Sequence, residues 1–288
     1  MIDRIAILGT GLLGASVGLG LRAAGFTGSI VGWNRSSEGG AVALAAGAVD
    51  SIATDAIEAA RCSQVIVLAM PIYATLDFME QLAAVLSPAQ LVTDVGSTKV
   101  QISATAAQLF NAPDRAAFLP GHPMAGKERG GAALGDATLF RGTVWLFTDD
   151  PAARRSAQSI ALIEEWRKWV VALGSTVIDL DPRRHDELVA WVSHLPQFLS
   201  TALAGLLEDE LGTAPELKAI GGRGLRETTR LGASPYSMWR DIALTNTEPI
   251  AAAILALEQR LAHLRENLRT AELREEFERA NRFRRDSL

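Results

Sequence analysis

Residues 5–25 read IAILGTGLLGASVGLGLRAAG. A short apolar run enters Gly9, Gly11 and Gly14 in GxGxxG spacing, and an Ala/Leu-rich segment follows as far as Gly25. Strand, tight turn and helix in this order make a dinucleotide-binding unit. Gly9 permits the turn, Gly11 lets the backbone approach a pyrophosphate, and Gly14 lets helix and strand pack closely. The turn and helix start, Thr10, Leu12 and Leu13, add backbone amides and the positive end of the helix dipole.

Outward from this turn, short β-rich runs alternate with helical stretches. Strands are expected at Arg4–Leu8, Ser29–Trp33, Gln64–Ala69, Leu91–Val95 and Ala117–Leu119, with more near Thr143–Phe147 and Thr176–Leu180. That rhythm predicts a parallel sheet with crossover helices. Beyond Pro182 the spacing becomes helical, as in HDELVAWVSHLPQFLSTALAGLLEDEL. The expected architecture is therefore α/β: a Rossmann-type dinucleotide-binding domain over residues 1–181, then an all-helical dimerisation domain over 182–288. Ile250, Ile254, Leu257, Leu261, Leu264 and Leu268 recur in steps of four and three, which fits either a homodimer seam or an intrachain core stripe. The charged tail REEFERANRFRRDSL reads as a solvated helix end.

The end of the second strand bears on the cofactor. A carboxylate there would bond a ribose 2′-hydroxyl and repel a 2′-phosphate, favouring NAD. Here IVGWNRSSEG places Asn34, Arg35 and Ser36 instead, a set suited to a phosphate. NADP is the favoured cofactor, with NAD the alternative. Met70 and Pro71, after the strand QVIVLA, complete the expected dinucleotide contacts.

Composition narrows the class. The 288 residues are 48% hydrophobic with a net charge of −5, which gives no general attraction for nucleic acid or acidic membranes. Cys62 is the only cysteine and reads as a core residue; no disulfide framework is possible. Without a signal-peptide pattern or an apolar run near the roughly 18 residues of a membrane span, a cytoplasmic enzyme acting on a small molecule is expected.

Ligands of open α/β sheets gather at the carboxyl ends of the strands. Gly96-Ser97-Thr98-Lys99 follows LVTDV there, and Gly121-His122-Pro123-Met124 follows AFLP. Neutral imidazole at His122 can take the hydroxyl proton of an alcohol whose carbon loses hydride, and Ser97 can orient it. Four histidines without closely spaced carboxylate or cysteine partners predict no metal site.

Together, ILGTGLLGASVG, DVGSTK, GHPMAGKERGG, SHLPQFLSTAL and GLRETTRLGASPYSMWRDI resemble the prephenate and arogenate dehydrogenases of tyrosine biosynthesis, over nearly the whole chain. The resemblance implies NAD(P)-dependent oxidative decarboxylation of prephenate to 4-hydroxyphenylpyruvate, or of arogenate to tyrosine. It implies that His122 and Ser97 are catalytic, that His194 positions substrate, that Arg230 grips a carboxylate, and that Trp239 lies near the site. Arg223, Arg226 and Arg240 are weaker candidates. Lys127 and Glu128 fall where the substrate's side-chain end would lie, Lys127 suiting a pyruvyl group and Glu128 an amino group. Gln197 stands where many relatives have histidine. Neither the mutase nor the regulatory domain of some relatives is expected, so any tyrosine feedback would be competitive. More distant alternatives are a β-hydroxyacid or imine reductase and a non-catalytic NADP sensor.

Overall fold

The structure is a computed structural model describing residues 1–287; Leu288, the last residue of the expected helical domain, lies outside the described residues. The first half alternates β1 (Arg4–Leu8), α1 (Leu12–Ala23), β2 (Ser29–Trp33), α2 (Ser37–Ala45), β3 (Ser51–Ile52), α3 (Ala56–Arg61), β4 (Val65–Leu68), α4 (Ile72–Ala83), β5 (Leu91–Asp94), α5 (Val100–Leu109) and β6 (Ala117–Leu119). These strands form one parallel sheet in the order β3-β2-β1-β4-β5-β6. The order reverses between β1 and β4, opening a crevice beyond their carboxyl ends.

Period-two alternation divides the core between the sheet's faces. Ile5, Ile7, Val65 and Val67 pack with Val17, Leu21 and Trp166 on one side, while Ala6, Leu8, Ile66 and Leu68 pack with Met79, Leu82 and Ile102 on the other. Both faces are covered, so the central strands are apolar throughout, as a parallel sheet requires.

Pro120 separates β6 from β7 (Gly121–Pro123), which pairs antiparallel with β8 (Val144–Phe147); β9 (Thr176–Asp179), after α6 (Ala157–Ala172), pairs parallel with β8. The Gly121-His122-Pro123 motif is thus itself a strand, with His122 opposite Leu146, rather than the loop leaving a strand. The two-residue β3 had no readable signal of its own.

The helical half begins at α7 (Pro182–Val189), where the Asp181 carboxylate accepts from the amides of Arg183 and Arg184 and proline occupies the first turn. A π-helical turn, Ala190–His194, leads into α8 (Leu195–Leu211). Pro196 has no amide hydrogen to continue the ladder, so the helix rewinds around the turn that carries His194. Then come α9 (Glu216–Ile220), α10 (Arg223–Thr229), a 3₁₀ turn (Arg230–Ala233), α11 (Tyr236–Thr245), α12 (Thr247–Glu266) and α13 (Glu272–Ser287).

Several sequence expectations change here. The stripe on α12 is divided: Ile250 and Ile254 pack against the sheet-side core, whereas Leu261 is exposed and Leu268 lies beyond the helix end. The charged tail is a helix of its own, α13, carrying exposed Phe277 and Phe283. Cys62 is exposed rather than core, because it caps α3 in the turn before β4, and its thiol bonds Glu58. Among the described residues no helix is long and apolar enough to cross a membrane.

Candidate active site

The glycine turn has the geometry of a phosphate cradle. Gly9 has φ +99°, and a Cβ there would lie 2.3 Å from the Ala69 carbonyl oxygen. A Cβ on Gly14 would lie 2.0 Å from the Gly9 carbonyl oxygen, whereas one on Gly11 would meet nothing within 4 Å. Two glycines are required by the backbone's own packing. The third leaves its own Cβ position clear at the α1 N-terminus, where Leu12 and Leu13 begin the helix. Met70 and Pro71 leave β4 immediately beside it, and buried Thr10 reaches towards the Gly39 carbonyl. At the end of β2, Asn34 donates to the Ser36 carbonyl and hydroxyl, and the Ser36 hydroxyl caps α2 by accepting from Gly39. Arg35 is exposed and makes no ion pair among the described residues.

Asp94, the last residue of β5, anchors the next segments. One carboxylate oxygen accepts from the Gly96 amide at 2.7 Å and from the Lys99 ammonium; the other accepts from the Gly121 amide at 3.0 Å. Asp94 and Lys99 are both fully buried. A single carboxylate therefore ties together the residues preceding Ser97 and His122.

His122 is 8% exposed. Its Nδ1 lies 2.9 Å from His185 Nε2, and His185 Nδ1 lies 2.7 Å from the Asp186 carboxylate. Asp186 also accepts from the amides of Lys99 and Val100 at the start of α5. Burial first, then the coulombic opposition of the neighbouring His185, Lys99 and His194 side chains to a further positive charge, pushes His122 well below the usual histidine value and keeps it neutral. Among the described residues Ser97 is half-buried and makes no hydrogen bond to His122, whose Nδ1 is held by His185.

His194, 1% exposed, stands on the π-helical turn. Its Nδ1 lies 3.2 Å from the Asn246 amide, and its ring meets Trp239 edge-on at 5.7 Å. Burial pushes its pKa down to about 4. The Trp239 indole N–H has no partner in this site. Gln197 turns to structural work, donating to the Leu231 carbonyl at 2.8 Å and fixing the turn that carries Arg230.

Arg230 forms an ion pair with Glu128, joining the 3₁₀ turn to the loop after β7. Glu128 is half-buried, and Arg230 retains 60% side-chain exposure. Lys127 is occupied within its own loop, donating to the Leu134 carbonyl and lying 3.6 Å from Asp136. Arg223 pairs with Glu227 and Arg240 with Asp241, while Arg226 is exposed.

The fold thus brings His122 and His194 together through His185, Asp186 and Asn246, and sets Arg230 against the loop that follows His122. His185, Asp186 and Asn246 carried no motif; the available signal was that three of four histidines lie in the stretches reaching this edge. A separate cavity of about 650 Å³ is lined by Phe110, Phe118, Thr148 and Arg155. Within it Arg155 bonds Asp149 and Ser103 bonds Thr148, and it contains none of these site residues.

Residues 17–172 match the prephenate dehydrogenase nucleotide-binding domain, and residues 181–282 match the prephenate dehydrogenase dimerization domain. The chain belongs to the prephenate dehydrogenase family. It is 32% identical to the prephenate dehydrogenase of Lactococcus lactis over 86% of its own length, spanning 66% of that protein. It is 30% identical to the cyclohexadienyl dehydrogenase of Zymomonas mobilis, covering 94% of this chain and 89% of that protein. The prephenate dehydrogenase structure from Aquifex aeolicus, in complex with hydroxyphenyl propionate and NAD+, superposes with a TM-score of 0.87 at 27% identity, covering 99% of this chain and 98% of that one. Membership in the prephenate dehydrogenase family supports binding of NAD(P) by the nucleotide-binding half.

Proposed function

We propose that this chain oxidises and decarboxylates prephenate to 4-hydroxyphenylpyruvate, with His122 as the base. The observation that carries this reading is a neutral, buried imidazole whose Nδ1 is held by His185 while its Nε2 has no partner among the described residues. Gly9, Gly11 and Gly14 with Thr10, Leu12 and Leu13 would hold the dinucleotide phosphates, and Met70 and Pro71 flank them. When bound, the nicotinamide supplies the hydride acceptor. His122 Nε2 accepts the proton of the ring hydroxyl as that carbon gives up its hydrogen. The bond from the ring to its carboxylate then breaks, carbon dioxide leaves, and the ring becomes aromatic. Ser97 meets the substrate hydroxyl beside His122, and His194 contacts a substrate oxygen.

NADP is the preferred cofactor on this reading: Asn34 rather than a carboxylate follows β2, and Arg35 makes no ion pair among the described residues, although Glu38 stands in the first turn of α2. A homodimer is formed through the helical half, where Leu206, Leu255, Leu261, Phe277 and Phe283 leave apolar surface exposed.

Initial rates with prephenate or arogenate, each with NADP+ or NAD+, test the substrate and the cofactor together. The highest kcat/KM should be with prephenate and NADP+. Faster turnover of arogenate would make the enzyme an arogenate dehydrogenase, with Glu128 answering the amino group, and a clear NAD+ preference would overturn the role given to Arg35.

Arg230 exchanges Glu128 for a substrate carboxylate on binding, a role suited to a planar, permanently charged fork. Charge-assisted bonds are worth about 1.5–3 kcal/mol, so Arg230→Ala should raise KM roughly 10- to 100-fold while changing kcat much less. An unchanged KM would remove Arg230 from substrate binding.

A further inference from the structure

We propose that a buried network centred on Asp186 fixes opposite tautomers in the two site histidines, so that His122 offers substrate a bare acceptor nitrogen and His194 offers an N–H donor. His185 and Asn246 are then positioning residues. The roles toward substrate rest on the proposed reaction; the tautomers do not.

The assignment follows from counting donors. Asp186 receives the amides of Lys99 at 2.7 Å and Val100 at 2.9 Å, one on each carboxylate oxygen, so it is held as an acceptor. His185 Nδ1, 2.7 Å from the same carboxylate, must carry the hydrogen. Burial lowers the His185 pKa and leaves the ring neutral, so its Nε2 is bare. The 2.9 Å bond from that nitrogen to His122 then requires the hydrogen on His122 Nδ1. The remaining nitrogen of His122, Nε2, is the lone pair that meets the substrate.

Asn246 works in the opposite sense. Its amide group lies 2.8 Å from the Asp186 backbone carbonyl, which can only accept, so that atom is the amide nitrogen. Its second hydrogen is directed to His194 Nδ1 at 3.2 Å. His194 Nδ1 is therefore bare and the ring's hydrogen sits on Nε2. One residue thus sets both rings, through its side chain for His122 and through its backbone for His194. An alcohol needs a proton acceptor at one end, and a carbonyl or carboxylate a donor at the other; the network supplies one of each without either histidine being charged.

The test is a long-range ¹⁵N–¹H spectrum of full-length protein labelled at histidine, near neutral pH. With four histidines in the chain, the spectrum is small enough to assign by single substitution, and His263 provides a reference outside the network. His122 and His185 should be protonated on Nδ1, and His194 on Nε2. His185→Phe should release the His122 tautomer and lower kcat by roughly tenfold or more with KM little changed. His185→Gln places an amide oxygen near the lost Nε2, and should restore the His122 tautomer and most of kcat. A wild-type spectrum with the hydrogen on His122 Nε2 or on His194 Nδ1 overturns the proposal even if the variants do not fold. Full kcat in His185→Phe with His122 mobile between tautomers also overturns it. Correct tautomers in a protein that turns over neither cyclohexadienyl substrate would reject the reaction while sustaining the network.

Discussion

His122→Asn is expected to lower kcat by about two to four orders of magnitude, the usual contribution of a positioned base. Asparagine keeps a polar group near Nδ1 to meet His185, but has nothing where Nε2 stood to take the hydroxyl proton. Dinucleotide affinity should be nearly unchanged, because the glycine cradle is built from β1, β4 and α1. The pH dependence follows the same argument. Desolvation, then the coulombic opposition of the His185, Lys99 and His194 side chains, disfavours protonation of His122, and the Asp186 carboxylate meets His185 rather than His122 itself. Lowering the pKa extends the range of the neutral, active form to lower pH. The acid limb of kcat/KM should therefore lie below the ordinary histidine value of 6.5, and should vanish in His122→Asn. Wild-type kcat in the variant, or a limb above that value in the native enzyme, would remove His122 as the base.

The parts of this molecule legible from sequence are those set by local pattern. GxGxxG between a strand and a helix needs no distant partner to be interpreted, and β1 and α1 follow from it, while the alternation of strands and helices implies the parallel sheet. The change of apolar spacing beyond Pro182 likewise marks where helices take over, and proline at the first turn of α7 shows why the change falls there. Ser97, His122, His194 and Arg230 were recognisable because each stands in a motif. Their partners were not. His185 is 63 residues from His122, and Asp186 caps α5 from 87 residues away. Such contacts are created by α7 folding over the sheet's carboxyl edge, which neither periodicity nor composition encodes. The neighbour of His122 Nδ1 is a case in point: the Ser97 hydroxyl is the nearest orienting group in sequence, and the structure sets the His185 imidazole against that nitrogen. Lys127 and Glu128, read as alternative substrate contacts, found protein partners in Asp136 and Arg230.

Asp94→Asn is expected to destabilise the fold by about 3–5 kcal/mol, the cost of leaving one member of a buried ion pair without its partner. This is a large part of the roughly 5–15 kcal/mol typical of a folded protein, so the urea midpoint should fall far below that of the native chain. The effect arises because Lys99 is fully enclosed and its ammonium has Asp94 as its ion-pair partner; burial already lowers the Lys99 pKa and the carboxylate opposes that shift. Asparagine can still accept from the Gly96 or Gly121 amide, but it carries no charge to hold the lysine. The double variant Asp94→Asn, Lys99→Met removes the orphaned charge and should recover most of the lost stability, since replacing both members of a buried pair is often nearly neutral. It should not recover full activity. The Asp94 carboxylate spans the amides before Ser97 and His122, and an amide side chain with a single acceptor oxygen cannot hold both in the same register. Stability restored with kcat still reduced would separate the carboxylate's electrostatic role from its geometric one. A native urea midpoint in the single variant would remove the electrostatic role, and native kcat in the double variant would remove the geometric one.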